Sequence, residues 1–377
     1  MALLLLWILF GLGIFIQLIY LLPIFGKVAF FKAKPDSNSE NTEGVTVLIA
    51  AHNEFKNLRR LIPQLFEQDY PNFDVLVIND RSRDRTSRLL EDLMSQYPKL
   101  RTVTVKYTPN HVTAKKYALT LGIKVAKNDV ILLTDADCIP ASDQWIRKMT
   151  QPVRNQNMTF SIGYSGYEQQ KGFLNRWIQF ETLKTALLYL SFAKWKSPFM
   201  GVGRNLCYRR SFFMEIKAFK DLWHLEGGDD DLLINRYATG KNTRAVLDTD
   251  ARTISIPKEN WKDYFSQKKR HLNIGKHYLT QDKLKIGWYA FSHLLFWAGA
   301  IGLFIYLALE QKWEQIAIVF GIFLMRLLLL AWVFSKANRN LNGQKNPSNT
   351  LINDFLYLGY FWILGPISHQ SKDIKWN

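Results

Sequence analysis

Three short apolar runs, each closing on acidic or amide side chains, constrain this chain more than any other feature. Val45-Thr46-Val47-Leu48-Ile49-Ala50 leads into His52-Asn53-Glu54. Val75-Leu76-Val77-Ile78 leads into Asn79-Asp80, and Val130-Ile131-Leu132-Leu133 into Asp135-Ala136-Asp137. Short continuous β-branched runs are the pattern of parallel strands buried on both faces. Residues 58–68, 86–96 and 114–126 lie between them with helical spacing. Alternating strands and helices predict an open, doubly wound α/β sheet with right-handed crossovers. In such sheets ligands bind beyond the carboxyl ends of the strands. The three clusters, distant in sequence, are therefore expected in one crevice. Any one of them is explained as a turn or cap, and capping is the preferred reading of Asp84. All three together are not.

The chemistry is narrowed by what is missing. No G-x-G-x-x-G follows the first strand, and there is no P-loop and no nucleophile elbow. A phosphate must be held in another way, and a carboxylate-bound cation is the obvious candidate. Asp135 and Asp137 offer hard oxygen ligands suited to Mg²⁺ or Mn²⁺, which bind one or two carboxylates plus substrate phosphates. Gly227-Gly228-Asp229-Asp230-Asp231-Leu232 opens a helix, whose dipole relieves part of the repulsion among three adjacent carboxylates. One of them can serve as general base on an acceptor hydroxyl. Residues 261–278 form a helical run with Trp261, Tyr264 and Phe265 followed by Lys268, Lys269, Arg270 and Lys276. It reads as a helix lying on a bilayer surface. Arg270 is a candidate guanidinium for a leaving diphosphate. Residues 173–195 read equally as an interfacial helix or an ordinary core helix.

Both ends of the chain are apolar. Residues 1–25 contain no charged side chain, long enough for one membrane span, and no basic n-region or small-residue cleavage site marks a signal peptide. A retained anchor over 1–26 is expected. Three further apolar segments, 287–309, 316–335 and 351–367, fill a C-terminal membrane region over 287–377. The last holds Gly359, Gly365 and Pro366 and is expected to be broken or re-entrant. Arg326 in the second calls for a partner helix or polar cavity, or a snorkelling path. Lys27, Lys32 and Lys34 follow the first span, and Lys336, Arg339 and Lys345 follow the 316–335 segment. By the positive-inside rule the central region is cytoplasmic, at the inner membrane. The formal charge of +17 over 377 residues admits nucleic acid, anionic lipid or a phosphate-bearing substrate. The spans and the lack of a reader motif favour lipid and exclude a nucleic-acid partner. Two cysteines, Cys138 and Cys207, make no disulfide framework.

Six motifs in order resemble the membrane-integrated family-2 glycosyltransferases of GT-A fold: VLIAAHNE, VLVINDRSRDRT, AKKYAL, LLTDADC, GGDDDL and QKKRH. The resemblance covers about residues 45–278. It implies an open mixed sheet flanked by helices over 44–260, an interfacial amphipathic region over 261–286, and transmembrane helices at both ends. Ala51, Glu54 and Asp80 would contact the base and ribose of the donor. Asn53, Lys115 and Gln267 belong to the same substrate-binding set. Asp135 and Asp137 would hold the nucleotide and its metal. Aligning Leu232 with the family's Leu makes Asp229 the base, with Asp230 the rival if the register slips by one. The sequence departs from the family at Ala114 for Gly, His52 for Tyr, Gly228 for Glu and His271 for Trp.

The implied activity is inverting transfer of a sugar from a nucleotide-diphospho-sugar, UDP-linked by family frequency, to a lipid or lipid-linked saccharide acceptor at the cytoplasmic membrane face. A processive polysaccharide synthase and a non-catalytic nucleotide-sugar-binding scaffold are the alternatives.

Overall fold

The computed structural model describes residues 1–33, 42–343 and 349–370. Lys34 and Lys345, both counted in the orientation argument, lie outside them. The chain opens with α1 (Ala2–Ile19), a π-helical turn over Tyr20–Ile24 containing Pro23, and the single turn α2 (Gly26–Ala29). The sheet then begins. The strands are β1 (Val45–Ala51), β2 (Phe73–Asp80), β3 (Leu100–Val105), β4 (Val130–Leu133), β5 (Cys138–Pro140), β6 (Phe160–Ile162), β7 (Ser165–Tyr167), β8 (Leu206–Arg209), β9 (Thr243–Ala245) and β10 (Thr253–Ser255). Seven form one sheet in the order β3-β2-β1-β4-β8-β6-β9, and β5-β10-β7 form a second.

Strands β1 to β4 are parallel, with Val47 opposite both Val75 and Leu132. β8 runs antiparallel between β4 and β6, so the sheet is mixed. β3 and the short strands beyond β4 carry no continuous apolar run, and period alone does not reveal them. The doubly wound half carries α3 (Phe55–Phe66), α4 (Thr86–Gln96), α5 (Ala114–Val125) and α6 (Trp145–Asn155). Every residue of β2 and β4 is buried, as a strand covered on both faces requires. Asp84 stands one residue before the N-cap of α4, Arg85, and its carboxylate accepts from the Thr86 amide at 2.9 Å and from Phe55 N at 3.2 Å.

Helix α7 (Phe173–Lys194) is buried along nearly its whole length, which selects the core reading over the interfacial one. Its Trp177 indole donates to the Tyr264 hydroxyl at 2.8 Å. The short α8 (Arg210–Glu215) and α9 (Asp231–Tyr237) follow. α10 (Trp261–Ile274) ends in a 3-10 turn at Gly275–His277, and α11 (Thr280–Leu309) starts soon after. The interval 261–286 comprises α10, a turn, and the first turns of α11. Within α10, Tyr264, Lys268 and Ile274 are buried while Trp261 and Phe265 are partly exposed.

Among the described residues, three helices are long and apolar enough to cross a membrane: residues Ala2–Ala29, α11, and α12 (Trp313–Asn342). The last apolar segment is helical throughout its described part, and Gly359 and Gly365 both lie in the right-handed helical region. α13 (Thr350–Gly359) passes through a π-helical turn at Tyr360–Leu364 into α14 (Gly365–Gln370).

Candidate functional site

The loops after β1 and β2 are pinned to each other. His52 Nδ1 donates to the Asp80 carbonyl at 2.6 Å. Asn53, in the left-handed region at φ 57°, donates its amide to Ser82 Oγ and accepts from Arg83 N at 2.8 Å. Glu54 N donates to Thr86 Oγ1 at 3.0 Å. Asn and Asp tolerate such turns because their short side chains satisfy nearby backbone groups. The first cluster thereby becomes a latch, and its Glu54 side chain is left to face the crevice. Burial, helped by the charges of Asp137 and Asp135, lifts the Glu54 carboxyl above its ordinary value against the hydrogen bond from Asn57. Asp80 is fully buried and held by Arg81 Nε and Nη2 at 2.7 and 3.0 Å.

Asp135 and Asp137 follow β4, and Lys115 in the first turn of α5 reaches over them. Its ammonium donates to Asp135 Oδ1 at 3.3 Å and pairs with Asp229 Oδ2 at 3.0 Å. Burial works to lower the Lys115 ammonium, but Asp135, Asp229 and Asp230 outweigh it and hold it above its ordinary value. Burial and the neighbouring Asp135 raise Asp137, while Arg204 opposes them. Among the described residues no three ligands converge on a metal position. Mg²⁺ in general takes one or two carboxylates from a protein, with diphosphate and water supplying the rest.

The three adjacent aspartates differ in their partners. Asp230 is the N-cap of α9: its oxygens accept from the amides of Gly203 and Asp231. Asp231 accepts from Leu232 N and from the Tyr278 hydroxyl, both at 2.8 Å. Burial, then repulsion from Asp230, pushes Asp231 up to about 8 against the Tyr278 bond. Asp229 is also penalised by burial, yet Lys115 and Lys116 hold it below its ordinary value. Lys116 itself is anchored on the carbonyls of Leu225 and Gly227, which fixes the glycine turn leading into the acid run. Gly227 and Gly228 have φ of 87° and 75°, so a side chain in Glu's usual family position would be strained here.

One cavity of about 930 Å³ collects these groups. Glu54, Lys115, Asp135, Asp137, Asp229, Asp230, Gln267 and Arg270 all line it. Ala51, Asn53 and Asp80 do not: Ala51 is buried in β1, Asn53 serves the loop latch and Asp80 holds Arg81. Arg204, Glu181, Lys258 and Tyr167 are among the lining residues that escaped the sequence reading. Glu181 on α7 forms a buried ion pair with Lys268 of α10. No motif marks these residues, because each is brought in by the packing of a separate element. His271 faces the same space. It is exposed to that space, and desolvation by the surrounding protein, then the cations Lys268, Arg270, Arg204 and Lys115, push its imidazole below its ordinary value.

Residues 46–217 match the profile described as "Glycosyl transferase family 2". The "Probable glycosyltransferase YdaM" of Bacillus subtilis (strain 168) is 27% identical over 238 residues, 62% of this chain and 55% of that one. A "Poly-beta-1,6-N-acetyl-D-glucosamine synthase" of Staphylococcus aureus (strain COL) is 31% identical over 110 residues, 29% of this chain and 26% of its own. The chain thus spans about half the length, or less, of these relatives. Among solved structures, a mannosyltransferase from Pyrobaculum calidifontis, in complex with GDP-Man and Mn²⁺, covers 89% of this chain and all of its own. Its TM-score is 0.56 at 16% identity. The mixed sheet and these matches agree on a GT-A fold, in which residues 46–217 are similar to the glycosyl transferase family 2 profile and apolar helices stand at both ends.

Proposed function

We propose that this chain is a membrane-bound inverting glycosyltransferase. It moves a sugar from a nucleotide-diphospho-sugar, UDP-linked by preference, to a lipid or lipid-linked acceptor at the cytoplasmic face. The observation that carries this is the continuity of one cavity. Asp135, Asp137 and Asp229 stand at one part of its wall, and Ile286, Gly287, Tyr357, Tyr360 and Phe361 of the C-terminal helices form another. A water-soluble donor and a membrane-resident acceptor need such a shared space. Lys27 and Lys32 after α1, and Lys336 and Arg339 late in α12, favour a cytoplasmic domain.

Asp229 is the favoured base. Asp230 is occupied by backbone amides and Asp231 by Leu232 and Tyr278, whereas Asp229 pairs with the side-chain ammonium of Lys115. Held below its ordinary value, Asp229 is ionised at neutral pH and free to accept a proton. The acceptor hydroxyl gives its proton to Asp229 as its oxygen bonds the anomeric carbon. The bond from that carbon to the diphosphate oxygen breaks, and its electron pair leaves on the diphosphate. Lys115 and Arg270 meet the departing charge, and Gln267 is placed to orient the acceptor. Asp135 and Asp137 would hold Mg²⁺ or Mn²⁺, which when bound neutralises the diphosphate. Glu54 is the donor contact of the first loop. Asp80 joins it only if Arg81 swings off its carboxylate, and Ala51 and Asn53 shape the loop from behind.

The test uses the full chain in lipid nanodiscs with a panel of labelled nucleotide-sugars, followed by lipid extraction. Label enters the lipid fraction, chelator abolishes this, and Mg²⁺ or Mn²⁺ restores it. Asp229→Asn lowers turnover by about 10²- to 10⁴-fold while donor binding persists. Label in long water-soluble chains would replace this reading with a processive synthase. Nucleotide binding without transfer from any donor would replace it with a scaffold.

A further inference from the structure

Two cations stand near Asp135 and Asp137, and they are used differently. Lys115 is committed to Asp135 and Asp229. Arg204 makes no ion pair among the described residues, and its Nη1 is buried without a hydrogen-bond partner. A buried N–H on a permanent cation is rarely left unsatisfied, and a group that enters from outside is one explanation.

The position of Arg204 is rigidly built. It lies on a 3-10 turn, Gly203–Asn205, whose two flanks are tied down. Gly203 N donates to Asp230, and Thr253 Oγ1 donates to the Arg204 carbonyl at 3.0 Å. The Asn205 amide donates to the carbonyls of Tyr164 and Ala251, both at 2.8 Å, and accepts from the Trp145 indole at 3.0 Å. The guanidinium carbon lies 4.5 Å from the centre of the Tyr167 ring, which supports the planar fork. Arg204 also lines the cavity. Its charge reaches Asp135 and Asp137 without contact, so neither carboxylate consumes its hydrogen bonds.

We propose that Arg204 binds a phosphate oxyanion of the substrate, completing with Lys115 a frame of positive charge around the Asp135–Asp137 pair. The oxyanion belongs either to the donor diphosphate or to a phosphate on the acceptor. This rests on the reading of the cavity as a glycosyl-transfer site, and a guanidinium fork rather than an ammonium is what phosphate selects.

Calorimetry on the full chain in nanodiscs distinguishes the sources. The probes are UDP and GDP, their monophosphates, and a short polyprenyl phosphate. Arg204→Gln weakens the diphosphates by about 10- to 100-fold, with the monophosphates little changed, if the donor supplies the oxyanion. The same loss confined to polyprenyl phosphate assigns it to the acceptor. Arg204→Lys keeps the charge but not the fork and recovers only part of the affinity. Unchanged affinity for every probe in Arg204→Gln overturns the assignment while leaving the transfer reading intact. Should Arg204→Gln fail to fold, the lysine variant decides: wild-type affinity for every probe overturns the proposal, and a partial loss supports it. A wild-type chain that binds none of the probes overturns both readings.

Discussion

Asp229, Asp230 and Asp231 are consecutive, yet their environments separate them into an ion-paired carboxylate, a helix cap and a raised acid. Sequence spacing identifies the cluster but leaves the base open between Asp229 and Asp230, because the partners come from α5, the Gly203 turn and Tyr278. The raised acid gives a pH prediction with a definite sign. Asp231 has a folded value of about 8 against an ordinary 3.8. Its contribution to stability is complete below the ordinary value and is lost as pH rises through the folded one. Asp231→Asn removes that loss, so the melting temperature of the variant relative to wild type climbs between about pH 4 and pH 8. A difference that stays flat with pH, or falls, contradicts the assignment. Lys115 shows the same limit on legibility. Its motif place points to the substrate, but only the fold shows that it bridges two acid clusters 94 positions apart in numbering, Asp135 and Asp229.

At the scale of elements, two glycines set how the first span meets the domain's membrane helices. A Cβ at Gly299 of α11 would lie 2.9 Å from Phe10 Cα, and one at Gly13 of α1 would lie 2.6 Å from Phe296 N. The neighbours are backbone atoms, so the clash is not relieved by a rotamer. Small residues permit this close helix approach, and packing rather than hydrophobic expulsion drives it in a bilayer. Gly299→Val separates α1 from α11 and lowers stability by about 1–3 kcal/mol, read as a drop in the melting temperature of the detergent-solubilised chain. An unaltered melting temperature would show that the pair is not a tight contact. These glycines carry no signal in an apolar run, where Gly is common. Helix α7 teaches the converse. Its aromatic and basic residues fit a surface helix as well as a core helix, and burial alone decided for the core.

At the scale of the whole molecule, a buried polar cluster ties the apolar helices α1, α11, α12 and α13 to α7 of the sheet domain. Arg326 of α12 pairs with Asp354 of α13 and donates Nη2 to Gln17 of α1 at 2.6 Å. His293 of α11 approaches Asp354 at 3.1 Å, and Lys184 of α7 at 3.6 Å. The Lys184 ammonium also sits 3.7 Å from the Tyr357 ring centre. The expected partner for Arg326 is thus found, and the snorkelling alternative is not. Asp354→Asn strands two cations in a site closed to water, and breaking such a pair costs about 3–5 kcal/mol. The double variant Arg326→Met/Asp354→Asn melts above Asp354→Asn alone, because it removes a charge left without a partner. A double variant no more stable than that single one refutes the coupling.

The strands β1, β2 and β4, the acid clusters that follow them and the apolar helices were legible in the chain. Each depends on local period or on residues adjacent in sequence, and local chemistry is what a sequence records. Tertiary structure decided which aspartate caps and which pairs with a lysine, placed Arg204 and Glu181 on the cavity wall, buried α7, and joined the cavity to the membrane helices. Those outcomes depend on side chains from distant segments sharing one desolvated space, where burial and mutual charge determine what each group is free to do.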